Sequence, residues 1–398
     1  MANTKLHDMQ KNDFKSKAQI KAEKESKSDG KLTAKTVAFR IFLSIITLLL
    51  CVIIGAYALL FVLVNGGCQP LKERLVLSAT QASATKWLPG LFMPQSEVDR
   101  IVTDSLKTNS DIMTFEEYAS LTADVSDGNT SDEWANAKDG MIFKKIKGDT
   151  FTGYMLIVKD PSRVFVGTAS DFKQGLKGMK IFDMAKKEDA VAIINAGEFS
   201  DPGGQGDGNN PLGITYSKGV LVWNDSHKRT FIGFDTNNKL VVTEPMTKKE
   251  AEALSIRDGV SFQNGNSLIT TDQNGNISVH YADNNTGTAQ RTAIGQRADG
   301  AVIMLVTDGR SASSLGATRN DVIDVMVKHG AIIAGMLDGG SSSLMYYEEY
   351  YNKYDYDYDS LDEYQKMGLV NKYKAFTTPR RMPTYFCVAR EITESEEN

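Results

Sequence analysis

The chain has 398 residues, with 45 Lys and Arg against 50 Asp and Glu and a formal net charge of −5. That balance excludes the basic face on which nucleic-acid binders rely, so no nucleic-acid partner is expected. With 33 Gly and 9 Pro it is not a low-complexity protein, and its length allows two or three domains.

Residues 1–35 are polar and lysine-rich without apolar periodicity, the pattern of a disordered tail. Residues 36–66 then read as a transmembrane anchor. The run Ile41–Val64 carries no charge. At about 1.5 Å per residue it is long enough to cross a hydrocarbon layer of about 30 Å. It lacks the polar face of a core helix. The lysines before it place the tail in the cytosol, so everything after Asn65 is expected to be extracytoplasmic, on a single-pass protein of the cell membrane. A cleaved signal peptide would have a shorter apolar core. A lipoprotein signal ending at Cys68 would carry an aliphatic residue where Asn65 stands. Cys51 lies inside the apolar run, and a bridge between Cys68 and Cys387 is not expected. The outer part must therefore be held by core burial.

Residues 67–140 read as a membrane-proximal helical region and linker. Helices are expected in 71–88, broken at Pro89-Gly90, and in 96–106, with Ser96 as cap and Asp99 in the capping-box position. The stretch 124–140 is polar and turn-rich. From Met141 to about residue 390, short β-rich runs such as "TGYMLIVKD", "AVAIIN" and "TFIGFD" alternate with hairpin-type turns. Helical patterns interrupt them, most clearly "TRNDVIDVMVKHG", which Thr318 or Asn320 can cap and Gly330 can stop. The fold class is α+β, a mixed β-sheet domain with its site at strand ends. A Tyr/Asp-rich insertion spans 346–374. It reads either as a surface hairpin or loop, or as a stacking platform for sugars.

Two apolar runs end on an aspartate. "AVIMLVT" ends at Asp308 and "AIIAGML" at Asp338, with a helix between them. If those strands are parallel, both carboxylates emerge at one sheet edge, where ligands of open α/β sheets bind. Glycines follow each, admitting close approach of backbone, and serines supply hydroxyls suited to sugars or phosphate. A third strand ends on Asn195, followed by Glu198 and a Gly-rich loop with Asp201 and Asp207. Arg291 and Arg310 are candidate phosphate partners. No Gly-x-Ser-x-Gly elbow occurs, and no His/Cys spacing suggests zinc.

The ordered motifs "IINAGEF", "PLGITYSKGVLV", "QRTAIGQRADGAVIMLVTDGR", "DVIDVMVKHGAIIAGMLDGGSSSLM" and "PRRMPTYFCVA" resemble the phosphodiester glycosidase family. That is the domain type of the N-acetylglucosamine-1-phosphodiester α-N-acetylglucosaminidases, whose bacterial relatives are often described as exopolysaccharide-biosynthesis proteins. The resemblance covers about 190–390. It implies hydrolysis of an α-linked sugar-1-phosphate diester with release of the sugar. Residue by residue, it implies site roles for Asn195 and Gly197, for Arg291 and Thr292, for Asp308, Gly309 and Arg310, and for Asp338, Gly339, Gly340, Ser342 and Ser343. Ala196 replaces a family glycine, Glu198 inserts a charge before Phe199, and Ser341 stands for the usual third glycine.

Such a site needs a carboxylate near the anomeric carbon, donors for the departing phosphate, and a base for water. Asp308 and Asp338 are the expected catalytic carboxylates, their roles undivided. Arg291 and Arg310 would hold phosphate, and Asn195, Ser341 and Ser342 would orient hydroxyls. No cofactor is demanded, although the aspartates could instead hold calcium or magnesium. The expected partners are a carbohydrate phosphodiester and the lipid bilayer. Two other readings stay open: a non-catalytic glycopolymer-binding or assembly protein, and a metal-dependent phosphodiesterase.

Overall fold

The computed structural model describes residues 34–80, 85–105, 107–122, 133–135, 137–169, 172, 176–202, 207–283, 287–309, 311, 314–353, 356–373 and 378–391. The expected cytoplasmic tail (apart from its last two residues), most of the 124–140 linker and Arg310 lie outside them. Two compact units result, residues 1–67 and 68–398. In the first, helix α1 (Ala34–Asn65) is long and apolar enough to cross a membrane.

The second unit is α+β. Its elements in chain order are α2 (Gln69–Thr80), α3 (Gln95–Ser105), β1 (Thr108–Met113), α4 (Phe115–Thr122), β2 (Met141–Lys147), β3 (Thr152–Val158), β4 (Val164–Thr168), α5 (Ile181–Glu188) and β5 (Ala190–Asn195). There follow β6 (Ile214–Ser217), β7 (Val220–Asn224), β8 (Arg229–Asp235), β9 (Leu240–Met246), α6 (Lys248–Glu252), β10 (Ile256–Phe262), β11 (Ser267–Thr271) and β12 (Ile277–Ala282). The chain continues through β13 (Thr292–Arg297), β14 (Val302–Thr307), α7 (Arg319–Lys328), β15 (Ala331–Leu337), β16 (Met345–Tyr347), α8 (Tyr350–Lys353), α9 (Glu363–Lys366) and β17 (Thr384–Ala389).

Three sheets form. The largest runs β1-β12-β11-β15-β13-β14-β3-β2, the second β7-β6-β10-β8-β9, the third β16-β5-β17-β4. Strands β5 and β14 are buried at every position, as continuous apolar runs covered on both faces must be. One shared core joins the sheets, with Met304 and Ile294 of the large sheet, Ile232 and Val260 of the second and Ile194 and Phe386 of the third. The stretch expected to be a membrane-proximal region is part of this unit from Cys68 on, since β1 pairs antiparallel with β12 along its whole length.

Local signals account for the helix ends. The Thr318 hydroxyl accepts from the Asp321 N–H at 3.1 Å while the Thr318 N–H donates to the Asp321 carboxylate at 2.7 Å, a complete capping box for α7. Gly330 follows at φ +77°. Helix α3 starts at Gln95, one residue before the expected cap Ser96, because the Pro94 carbonyl already accepts from the Glu97 and Val98 N–H groups.

In the insertion, Tyr347, Tyr350 and Tyr351 are buried. Tyr350 packs on Phe143 and Tyr351, and Tyr351 donates to the Leu369 carbonyl. These rings fill a local core and present no face to a sugar. Cys51, Cys68 and Cys387 are all free.

Candidate active site

The site is built around β13. That strand pairs antiparallel with β14 on one side and β15 on the other, so β14 and β15 run parallel to each other with β13 between them. Thr292 lies opposite Val306 of one and Leu337 of the other. Asp308 and Asp338 therefore leave the sheet at the same edge, beside Arg291.

Their carboxylates part company there. Asp338 lines a cavity of about 830 Å³, together with Glu198, Asp201, Arg291, Arg319 and Arg380. Asp308 is buried elsewhere. Its Oδ2 accepts from the Tyr154 hydroxyl at 2.8 Å and its Oδ1 from the Lys372 N–H at 3.0 Å. The expectation that both aspartates share one pocket is thus corrected. Val306 and Leu337 are equivalent in register, but Asp308 lies two residues beyond the first and Asp338 one residue beyond the second. Side chains alternate along an extended chain, so the two carboxylates take opposite faces. Burial pushes the Asp308 carboxyl up, against the pull of the Tyr154 and Lys372 donors. Asp308→Ala is expected to lower unfolding stability by about 1–3 kcal/mol, since it orphans those two buried donors. It should leave kcat within a few-fold of wild type; denaturant titration and a turnover assay on the same variant check both.

The Asp338 loop is held by a buried polar clasp. Asn195, at the end of β5, donates through Nδ2 to the Asp338 carbonyl at 2.6 Å. Its Oδ1 accepts from the Thr292 hydroxyl at 2.8 Å and the Leu344 N–H at 3.1 Å. The Ser343 hydroxyl lies 3.1 Å from that of Thr292. Asn195 and Thr292 are fully buried. Both hold the loop and neither lines the cavity, a correction to the hydroxyl-orienting role expected of Asn195. Gly197 sits so close to β10 that a Cβ there would meet the Val260 Cβ at 2.8 Å and the Ser261 carbonyl at 2.9 Å. Gly340 takes φ +62°, open to glycine at no steric cost. Gly309 packs against the Ala289–Gln290 backbone.

Around Asp338 the loop supplies donors. The Gly339 N–H donates to its Oδ1 at 3.0 Å, and the Ser342 side chain bonds it as well. Burial nevertheless pushes the Asp338 carboxyl up to about 7, with the nearby Glu198 charge adding to the rise and Ser342 and Arg380 opposing it. Ser341 is exposed, its hydroxyl 3.4 Å from Arg380 Nη1. Arg380 also pairs with Asp201 at 2.7 Å and lies over the Phe199 ring at 5.1 Å. Arg291 lines the cavity while donating to the Ala317 and Gly287 carbonyls at 3.1 and 2.7 Å. Among the described residues no group of three or more His, Cys, Asp or Glu side chains is gathered as a metal ion would require.

Sequence reasoning had no role for Arg380, although it lies in the quoted "PRRMPTYFCVA" run. It also missed the wall formed by α2 and α3, from which Leu77, Thr80, Val98, Asp99 and Val102 line the cavity.

A family model described as phosphodiester glycosidase matches residues 188–389, half of the chain. This chain belongs to the phosphodiester glycosidase family. Its glycosidase-family region takes in Glu198, Arg291, Asp338 and Arg380, while α2 and α3 lie outside it. A curated relative, the SPbeta prophage-derived uncharacterized protein YomE of Bacillus subtilis (strain 168), is 29% identical over 194 residues. That match takes in 46% of this chain and spans 27% of the relative's length. Among solved structures, the chain is similar to the catalytic domain of zebrafish N-acetylglucosamine-1-phosphodiester alpha-N-acetylglucosaminidase, auto-inhibited by its pro-peptide. Identity is 16%, TM-score 0.47, with 72% of this chain and 89% of that chain covered. A hypothetical protein from Synechocystis follows at 12% identity and TM-score 0.42, covering 64% and 62%.

Proposed function

We propose that this protein is a membrane-anchored glycosidase that hydrolyses sugar-1-phosphodiester linkages in a surface glycopolymer or glycoconjugate. Helix α1 would be the bilayer anchor, the lysine-rich tail cytoplasmic and residues 68–398 extracytoplasmic. The observation that carries the reading is Asp338, a carboxyl raised to about 7 in a cavity that also holds Arg291 and Arg380.

Breaking the bond between the anomeric carbon and oxygen releases a phosphate monoester, whose second ionisation lies near pH 6. A carboxyl that is still protonated close to neutrality matches that leaving group as a proton donor. Arg291 and Arg380 would hold the diester's charge. Gly339, Gly340, Ser341 and Ser342 would shape the sugar end, with Asn195 and Thr292 fixing their loop. The reading uses no divalent cation: Asp201 and Glu198 in the cavity are each paired with an arginine.

The test is incubation of the detergent-solubilised full chain with a sugar-phosphate-alkyl diester, followed by product analysis. Free sugar is expected. Sugar phosphate would mark a phosphodiesterase instead, and binding without turnover a glycopolymer-binding protein.

A further inference from the structure

We infer that Glu198 is the second working carboxylate of the cavity, the base that takes a proton from the attacking water while Asp338 serves the leaving phosphate. The inference rests on the sugar-phosphodiester reading and deepens it, putting Glu198 beside Asp338 where the sequence had placed Asp308 as a second carboxylate of undivided role.

Four observations place it. Glu198 and Asp338 line the same cavity. The Glu198 backbone is pinned on both sides, its N–H to the Ser261 carbonyl at 2.9 Å and its carbonyl to the Leu212 N–H at 2.9 Å. One carboxylate oxygen is held by charge, with Oε2 sealed from solvent 3.0 Å from Arg229 Nε on β8 in an ion pair whose angle makes no hydrogen bond. The other is poised, since Oε1 meets the Gln263 amide at a long 3.5 Å and the side chain keeps 16% exposure. Because Oε2 has none of that exposure, the open surface belongs to Oε1 and the stem. An oxygen held by its twin's ion pair, and weakly bonded itself, is suited to accept a proton from water.

The surroundings favour a working base. Burial pushes the Glu198 carboxyl up, and Arg229, Gln263, His227 and Lys86 draw it down. These, with Asp338, are the polar and charged groups that act on Glu198 from β8, from the loop before it, from the segment after α2 and from the ends of β10 and β15.

The step balances without a further reactant. The water oxygen bonds to the anomeric carbon as Glu198 takes its proton. The bond from that carbon to the bridging oxygen breaks, its electron pair stays on that oxygen, and the Asp338 proton goes to the phosphate. Exchange with solvent then resets both carboxyls.

The test compares kcat, KM and pH profile for a sugar-1-(methyl phosphate) diester in wild type, Glu198→Gln, Glu198→Asp and Glu198→Gly, all as the full chain. Glu198→Gln is expected to lose about 10²–10⁴-fold in kcat with KM little changed, and to lose the acid limb of the profile. Added formate should restore part of the rate to Glu198→Gly. Binding of an inert sugar phosphonate by Glu198→Gln shows that the cavity is intact. Wild-type kcat in Glu198→Gln, or a loss confined to KM with no rescue by formate, would overturn the inference. If the glutamine variant does not fold, Glu198→Asp decides: a rate well below wild type with the acid limb kept supports the base, and wild-type kcat overturns it. A silent wild type overturns both this and the phosphodiester reading; an active wild type beside an equally active Glu198→Gln overturns this inference alone.

Discussion

Asp338→Asn should lower kcat for sugar release by about 10²–10⁴-fold, the range for loss of a positioned proton donor, with binding of an inert phosphonate retained. The amide keeps the shape and can still accept from the Gly339 N–H, so the loop has no reason to move. The pH profile carries a second signature. A donor must be protonated to act, so wild-type kcat should fall as pH rises through about 7. The same variant should be more stable than wild type in alkali. The folded carboxyl titrates near 7, and an unfolded aspartate near 4. A raised folded value contributes stability that is complete below about pH 4 and is lost as pH rises through about 7. Above that, wild type carries an ionised, partly desolvated carboxylate and Asp338→Asn does not, a gain on the order of 1–3 kcal/mol. Urea titrations at pH 4 and pH 8.5 check it; a gain that is equal at both would mean that ionisation of Asp338 is not its source.

Asn195→Ala should be the most damaging single change to the clasp. It leaves the Asp338 carbonyl and the Leu344 N–H short of a partner inside the protein, and leaves the Thr292 hydroxyl only the Ser343 hydroxyl at 3.1 Å. Buried polar groups left unmade cost about 1–3 kcal/mol each, so a loss of about 3 kcal/mol or more is expected by denaturant unfolding, with turnover falling because the Asp338 loop loses its tie to β5. Asn195→Asp isolates the geometry. It keeps the volume but turns an acceptor toward the Asp338 carbonyl, and activity should fall even where the variant stays folded. Wild-type stability and turnover in both variants would show that the clasp does not hold the site.

Much of this was legible in the sequence. Apolar runs stopping on Asp308 and Asp338, with a capped helix between, were enough to place two aspartates at one sheet edge. The strand inserted between them was not foreseen: β13 precedes both in the chain and pairs with both, and pairing partners are set by the global packing rather than by local pattern. The face each aspartate takes was hidden for the same reason. It depends on one residue of register relative to Thr292, and a slip of one residue reverses every side chain. Tyr154 and Lys372, which hold Asp308 away from the cavity, come from distant parts of the chain. Glu198 was visible as a departure from the family turn, but its use required Arg229 on a different sheet. The Tyr/Asp insertion stayed open between a surface loop and a stacking platform because composition does not tell which ring faces inward: Tyr347, Tyr350 and Tyr351 do, whereas Tyr356 and Tyr358 are exposed. The α2–α3 wall lay in a stretch whose helices could be read locally but whose neighbours could not.

The most direct test of the account is the position of bond cleavage. Hydrolysis of a sugar-1-phosphodiester by the full chain in ¹⁸O-enriched water should place the label on the anomeric hydroxyl of the released sugar and leave the phosphate monoester unlabelled. Label in the phosphate would mean attack at phosphorus, and the roles given to Asp338 and Glu198 would be wrong.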